Sequence, residues 1–199
     1  KDVLSLIIWG SRVSLTVGFV SSFLAVSIGS MIGITSGYYG ALKGELLMRI
    51  TDIFLVLPLL PIQILLAALL GPSMRNIIIA IGLVTWTGTA RITRSMTLSL
   101  KERPYVERAR SVGCSGHRIL WRYILPAVIP VVFAQSVIQA VNAIASEAFL
   151  SFIGLGDPSS ISWGTILNFA FVTGSFTKGA YWVFLSPGIC IVLAMVAFT

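Results

Sequence analysis

The chain has 199 residues, of which 56% are hydrophobic and only 11% are charged, and its mean hydropathy is +0.95. Soluble domains carry about 25% charged residues, and a chain of this length has no soluble core large enough to bury so much apolar surface. A water-soluble globular protein is therefore excluded, and the expected solvent is a lipid bilayer. The formal net charge of +7 requires no nucleic-acid partner, because membrane topology accounts for it, as shown below.

The two ends of the chain indicate a piece of a longer protein. It opens with Lys1 rather than Met, and it stops at Thr199 inside an apolar run. The first residues lack the order of charged, apolar and small residues that marks a signal peptide. No linker or internal repeat divides the chain, so we expect a single transmembrane domain over residues 1–199. The two cysteines, Cys114 and Cys190, lie in such different surroundings that we expect no disulfide between them.

Five apolar segments are candidates for membrane-spanning helices. A hydrocarbon core about 30 Å thick requires about 20 helical residues. Five such spans are predicted, near residues 13–36, 50–70, 76–99, 124–147 and 180–199. Pro58 and Pro61 are expected to kink the second span. The pattern predicts an all-α integral membrane protein, a polytopic bundle with five spans in this chain.

The first span carries a glycine at every fourth position, at Gly29, Gly33 and Gly37. Small residues repeated on one helical face let two membrane helices approach closely. Glycine is also more frequent in membrane helices than in soluble ones, so the sequence leaves both interpretations open.

The basic residues set the expected orientation. Eight of the fourteen lie between positions 91 and 122, namely Arg91, Arg94, Lys101, Arg103, Arg108, Arg110, Arg118 and Arg122. The positive-inside rule therefore places residues 37–50 and 91–123 in the cytoplasm, and residues 71–76 and 151–178 outside. Asp52, three residues after Arg49, is expected to form a local ion pair with it at the inner interface.

The cytoplasmic loop, at about residues 100–123, contains a predicted short helix. Pro104 suits the first turn of a helix, where its missing N–H costs nothing, and Glu107 meets the positive end of the helix dipole. Gly113 and Gly116 are expected to break the helix, with glycine as the left-handed cap. The result is a helix near residues 104–112, about 13 Å long, followed by a second short helix.

This loop resembles the conserved loop of ABC-importer permeases, in which Glu-Ala-Ala is followed by three residues, a Gly, and about eleven more residues before Leu-Pro. Here those positions hold Glu107, Arg108, Ala109, Gly113 and Leu125-Pro126, with Arg108 in place of the first Ala. The segments GYYGALKGELLMRITDIFLVLP, SLKERPYVERARSVG and SEAFLSFIGLG…SWG are similar, in order and spacing, to permeases of dipeptide, oligopeptide and nickel importers. The resemblance covers nearly the whole chain.

The resemblance implies a subunit with six spans and both termini in the cytoplasm, so the chain would lack the first span and a C-terminal tail. It implies a multi-pass protein of the prokaryotic inner membrane. The partners would be membrane lipid, a second permease in a homo- or heterodimer, an extracytoplasmic substrate-binding protein and cytoplasmic ABC ATPases. ATP and Mg would be bound by the ATPase, with no cofactor in this chain. The short helix would be the coupling helix, docking the ATPase through Tyr105, Glu107, Arg108, Ala109, Val112 and Gly113.

Polar residues inside predicted spans are candidates for a substrate path. Gln135, Gln139 and Asn142 fall at i, i+4 and i+7 on the fourth span, and Glu147 lies at its outer end. They could line a water-filled path or form hydrogen bonds between helices, and the sequence leaves both open. No nucleotide-binding loop, metal site or catalytic set is recognisable. The alternative function is an ion-coupled secondary transporter or a channel subunit.

Overall fold

The computed structural model describes residues 2–175 and 177–198, so the predicted chain ends Lys1 and Thr199 lie outside the described residues. Helices account for the regular structure of the described part, which confirms the all-α class. In chain order they are α1 Val3–Tyr39, α2 Ala41–Val56, α3 Leu59–Leu70, α4 Met74–Lys101, α5 Pro104–Ser111, α6 Gly116–Ile119, a π-helical turn Leu120–Ile124, α7 Leu125–Phe152, α8 Trp163–Val172 and α9 Tyr181–Ala197.

Three helical stretches in the described residues are long and apolar enough to cross a membrane. They are α1, α4 and the continuous run Gly116–Phe152, which joins α6 to α7. Counting the broken pair α2–α3 as one span raises the number to four. The last helix, α9, has 17 residues and α8 has 10, so both are shorter than the usual spanning length. By length and composition alone, the structure supports three or four of the five predicted spans.

The break between α2 and α3 lies at the first of the two prolines. Leu57 and Pro58 adopt extended backbone angles, with ψ of 132° and 120°. Pro61 instead occupies the first turn of α3, where a helix has no internal partner for an N–H group. The prediction of a distortion at Pro58 is confirmed. The prediction of a kink at Pro61 is wrong, because in the first turn of a helix the N–H group that proline lacks would have no helical carbonyl to bind.

Residue contacts divide the chain into two compact units. Unit 1 contains Lys1–Phe23, Pro58–Val84 and Val137–Thr199, and unit 2 contains Leu24–Leu57 and Thr85–Ser136. The core of unit 1 includes Val17, Ile77, Ile81 and Leu150, with a second cluster of Ile144, Trp163 and Ile166. The core of unit 2 includes Ile34, Leu100, Val106, Ala109, Ile119, Ile124 and Val128.

Within unit 2, the glycine repeat of α1 packs directly against α4. A Cβ atom added at Gly33 would lie 1.9 Å from the Thr93 Oγ1 atom and 2.4 Å from the Ala90 carbonyl oxygen. At Gly29 the same atom would lie 2.5 Å from the Trp86 carbonyl oxygen, and at Gly37 it would lie 2.8 Å from a Thr97 carbon. Of the two interpretations of the repeat, the structure supports close helix approach.

The run from α6 to α7 contains a π-helical turn, and its position follows from Pro126. The backbone N–H of Leu125 donates to the Leu120 carbonyl five residues earlier. Pro126 has no N–H to donate to the Arg122 carbonyl, so the α-helical ladder is interrupted at this point. The second short helix predicted in the loop is therefore continuous with the following long helix.

Asp52 forms a different ion pair from the one predicted. Its carboxylate lies 2.6 Å from a guanidinium nitrogen of Arg91 on α4, within unit 2. The expected local pair with Arg49 is wrong, because Asp52 reaches a neighbouring helix rather than the preceding turn of its own.

Candidate functional site

Helix α5 has fixed ends. Pro104 occupies its first turn, Glu107 lies in the same turn, and the helix ends at Ser111, one residue before the predicted boundary. After the helix, the Cys114 N–H donates to the Ala109 carbonyl at 3.1 Å, and the Gly113 N–H donates to the Arg110 carbonyl at 3.0 Å. These two bonds form a Schellman-type cap. Gly113 has φ +81°, which confirms the predicted left-handed glycine.

The two faces of α5 differ sharply in burial. Val106 and Ala109, three residues apart on one face, are buried in the core of unit 2. Tyr105 is 41% exposed and Val112 is 79% exposed. Ala109 was expected to be available to a partner, but the structure places it inside its own unit, because it shares the inward face with Val106.

The outward surface of α5 combines apolar and charged groups. Besides Tyr105 and Val112, the side chains of Glu107, Arg108 and Arg110 are exposed, and Gly113 is exposed at the cap. Among the described residues, none of these charged groups takes part in an ion pair. The structure therefore brings five of the six predicted docking residues, all except Ala109, to one small exposed surface, which we call the α5 surface.

A second candidate site surrounds Glu147 in unit 1. This side chain is only 1% exposed. One carboxylate oxygen accepts a hydrogen bond from the Ser14 hydroxyl at 2.9 Å, and the other accepts one from the Ser151 hydroxyl at 2.8 Å. The Ser14 hydroxyl oxygen also accepts a hydrogen bond from the backbone N–H of Trp163 at 3.1 Å. Glu147 thereby joins α1, α7 and the first residue of α8 without a basic partner among the described residues.

A cavity of about 10 Å³ lies beside Glu147, a size that suits one water molecule. Asp157, in the loop between α7 and α8, also lines it. The Asp157 carboxylate accepts hydrogen bonds from the Ser159 hydroxyl at 2.6 Å and from the Ser159 N–H at 2.8 Å. These bonds, with a smaller contribution from the Met74 backbone, hold the pKa of Asp157 below its ordinary value.

The other predicted path residues do not form one uniform stripe. Gln139 is buried, Gln135 is half-buried and Asn142 is exposed. Sequence reasoning missed Gln63 on α3, which is fully buried and whose two side-chain polar atoms have no hydrogen-bond partner among the described residues. The signal for it was present, since Gln63 is the one polar residue in the helix sequence LLPIQILLAALL.

Comparison with known proteins places these features in context. Residues 29–199 match the family described as "Binding-protein-dependent transport system inner membrane component". The dipeptide transport system permease protein DppC of Alkalihalophilus pseudofirmus is 34% identical over 199 residues, which is 100% of this chain and 64% of that protein. The oligopeptide transport system permease protein OppC of Haemophilus influenzae is 39% identical over 170 residues, which is 84% of this chain and 54% of that protein.

The fold has a solved counterpart in an inward-facing structure of the MetNI methionine ABC transporter. The TM-score is 0.72 at 19% identity, with 100% of this chain and 95% of that chain covered. The chain spans less than two thirds of the length of these two curated permeases. Because the family match covers most of the chain, and an identity above 30% extends over its whole length, this chain belongs to the family of inner membrane components of binding-protein-dependent transport systems.

Proposed function

We propose that this chain is part of a permease subunit of an ATP-driven ABC importer, forming half of the translocation path for peptides or a related small solute such as nickel. It is a transport subunit rather than an enzyme. The observation that carries the proposal is the α5 surface, a rigidly capped helix end that presents Tyr105 and Val112 to solvent while its other face is anchored in unit 2.

The α5 surface fits the docking of a separate ATPase. Exposed apolar side chains with unpaired charges around them are typical of a protein interface. Anchoring matters because a docked helix transmits motion only if it cannot bend away from its support. Val106 and Ala109 provide that support, and the Gly113 cap fixes where the helix ends.

The first experiment measures co-purification of the ATPase with permease variants. Tyr105→Ser/Val112→Ser removes the two apolar contacts of the α5 surface. A matched control is Tyr181→Ser/Val172→Ser in unit 1, where the same residue types are 49% and 74% exposed. Full burial of a large apolar side chain contributes about 1.5–3 kcal/mol, and about 1.4 kcal/mol corresponds to a tenfold change in affinity, so we expect roughly tenfold weaker ATPase association for the first variant even if the two side chains are only partly buried by the partner. Equal retention of the ATPase by both variants would refute docking at α5.

The proposed topology has five spans in this chain, with α9 and the broken α2–α3 pair each crossing once. Residues 100–122, including α5, are then cytoplasmic. A cysteine at position 111, which is exposed, should react with a membrane-impermeant thiol reagent only from the cytoplasmic side. Reaction from the outside would show that the orientation of the chain is opposite to the proposed one.

The remaining partners are a second permease subunit, an ATPase that binds ATP and Mg, and an external substrate-binding protein. The two related permeases described above, one of a dipeptide and one of an oligopeptide transport system, support peptides as the substrate class. Purification of the intact complex and identification of the ligand held by its binding protein tests this directly. Uptake that continues without ATP hydrolysis would instead favour the ion-coupled alternative.

A further inference from the structure

A face of the run from α6 into α7 is exposed and changes character along the helix. His117, Arg118, Trp121 and Arg122 are exposed at its beginning, and Trp121 is 60% exposed. Ile129 and Phe133 are exposed further along the helix. At 1.5 Å per residue, they lie about 10 and 16 Å beyond Arg122 along the helix axis. The beginning of this face is therefore basic and aromatic, and its continuation along α7 is apolar.

This face lies away from α5. Helix α5 packs over Ile119 in the core of unit 2, and the rings of Tyr105 and Tyr123 lie 6.4 Å apart. Trp121 stands two residues from both Ile119 and Tyr123, and two residues turn a helix by roughly half a revolution. Trp121 consequently points away from α5.

The two arginines of this face are unpaired. In the described part of the chain, neither the Arg118 nor the Arg122 guanidinium has a carboxylate within ion-pair distance or a hydrogen-bond acceptor. Their spacing of four residues places them on successive turns of the helical run, so that the two side chains are neighbours. Guanidinium groups bind phosphate oxygens through paired N–H donors.

We propose that Arg118, Trp121 and Arg122 form a binding site for the phosphate headgroup of an anionic phospholipid. The two guanidinium groups hold the phosphodiester, and the Trp121 ring lies at the level of the headgroup, where amphipathic aromatic rings concentrate. The acyl chains run along Ile129 and Phe133. The site goes beyond the proposed transport function, since it assigns a lipid to a face outside the α5 surface.

Lipid fits this face better than a second protein. The face is continuous with exposed apolar side chains on a long hydrophobic helix, and the change from basic and aromatic groups to apolar groups matches the change from the headgroup region to the hydrocarbon of one bilayer leaflet. A protein interface would be expected to supply carboxylates to two unpaired arginines, whereas an anionic bilayer surface supplies phosphates along its whole extent.

The experiment uses the complete importer complex purified in phosphatidylcholine nanodiscs, with phosphatidylglycerol added stepwise and bound lipid counted by native mass spectrometry. Arg118→Gln/Arg122→Gln should weaken phosphatidylglycerol binding about 30-fold, at about fivefold for each arginine near an anionic surface. The matched control, Lys43→Gln/Arg49→Gln, removes the same charge from exposed positions of α2 and should leave this binding unchanged. An equal loss of phosphatidylglycerol binding in both variants would show that only the total positive charge matters. That result would overturn the proposed site.

A photo-crosslinking amino acid at position 121 gives an independent readout. In membranes, the complex should yield crosslinks to lipid at this position and none to another subunit. Crosslinks to the second permease or the ATPase would overturn the proposal, even if the arginine variants bind less phosphatidylglycerol, because the face would then be a protein interface.

Discussion

The contact between Gly33 on α1 and α4 provides a quantitative test of the packing in unit 2. In Gly33→Ala the new methyl group would lie 2.4 Å from the Ala90 carbonyl oxygen, where ordinary contact begins at 3.4 Å. The two helices must separate locally by about 1 Å, because the obstacle is backbone that cannot rotate away. Overpacking of this kind typically costs about 1–3 kcal/mol, and the better helix propensity of alanine offsets up to about 1 kcal/mol.

The assay is the midpoint of thermal unfolding in detergent, followed by fluorescence-detected size exclusion, with Gly88→Ala as the control. Gly88 lies on α4 in the same unit, and, apart from the adjacent backbone of its own helix, no atom of the described residues lies within 4 Å of the position of an added Cβ. We expect Gly33→Ala to lower the midpoint by several degrees and Gly88→Ala to leave it unchanged or raise it. Adding Thr93→Ala to Gly33→Ala should restore only part of the loss, since the backbone clash persists. A midpoint for Gly33→Ala equal to that of the parent would refute the close helix contact.

Five further substitutions at four positions test the other sites by the same thermal assay, and one of them also by ATPase association. Glu147→Ala leaves two buried serine hydroxyls without their acceptor and should lower the free energy of unfolding by about 1–3 kcal/mol. Glu147→Gln keeps one acceptor oxygen and should lower it less. Equal losses of stability in the two variants would contradict the hydrogen-bond network around Glu147. Asp157→Asn should lower the midpoint at neutral pH. Because the pKa of Asp157 is held below its ordinary 3.8, chiefly by the Ser159 hydroxyl, its stabilisation is present above about pH 4 and lost as the pH falls further. If the difference in unfolding midpoint between Asp157→Asn and the parent does not change with pH, the charge of the Asp157 carboxylate is not the cause of the stabilisation. Gly113→Val should strain the left-handed cap by about 1–2 kcal/mol and weaken ATPase association, while Ala109→Trp should disrupt unit 2 itself; normal folding of Ala109→Trp would contradict the burial of that residue.

The features that the sequence predicted well are those that a single local property determines. A proline at the first turn and a glycine at the end were enough to locate α5 within one residue. The length of apolar runs was enough to identify an all-α membrane protein. The glycine repeat indicated a close helix contact, but it could not name α4 as the partner, because the identity of a packing partner depends on tertiary structure.

The predictions that failed required knowledge of which face turns inward. Ala109 was assigned to an outward surface because its small size suited a partner, yet that same size lets α5 pack against its own unit. Asp52 was assigned to the nearest arginine in sequence, whereas its real partner comes from another helix. The count of five spans did not fail but stays a prediction, since α9 and the broken α2–α3 pair satisfy the required apolar length only in part.

The anchoring of α5 has a mechanical consequence. Val106 and Ala109 belong to the same buried cluster as Ile34 of α1, Leu100 of α4 and Val128 of α7. A force applied to the outer side of α5 cannot be absorbed by bending a loop, since tightly packed side chains resist compression. A displacement of α5 is therefore passed to the adjacent ends of α1, α4 and α7 rather than absorbed within unit 2.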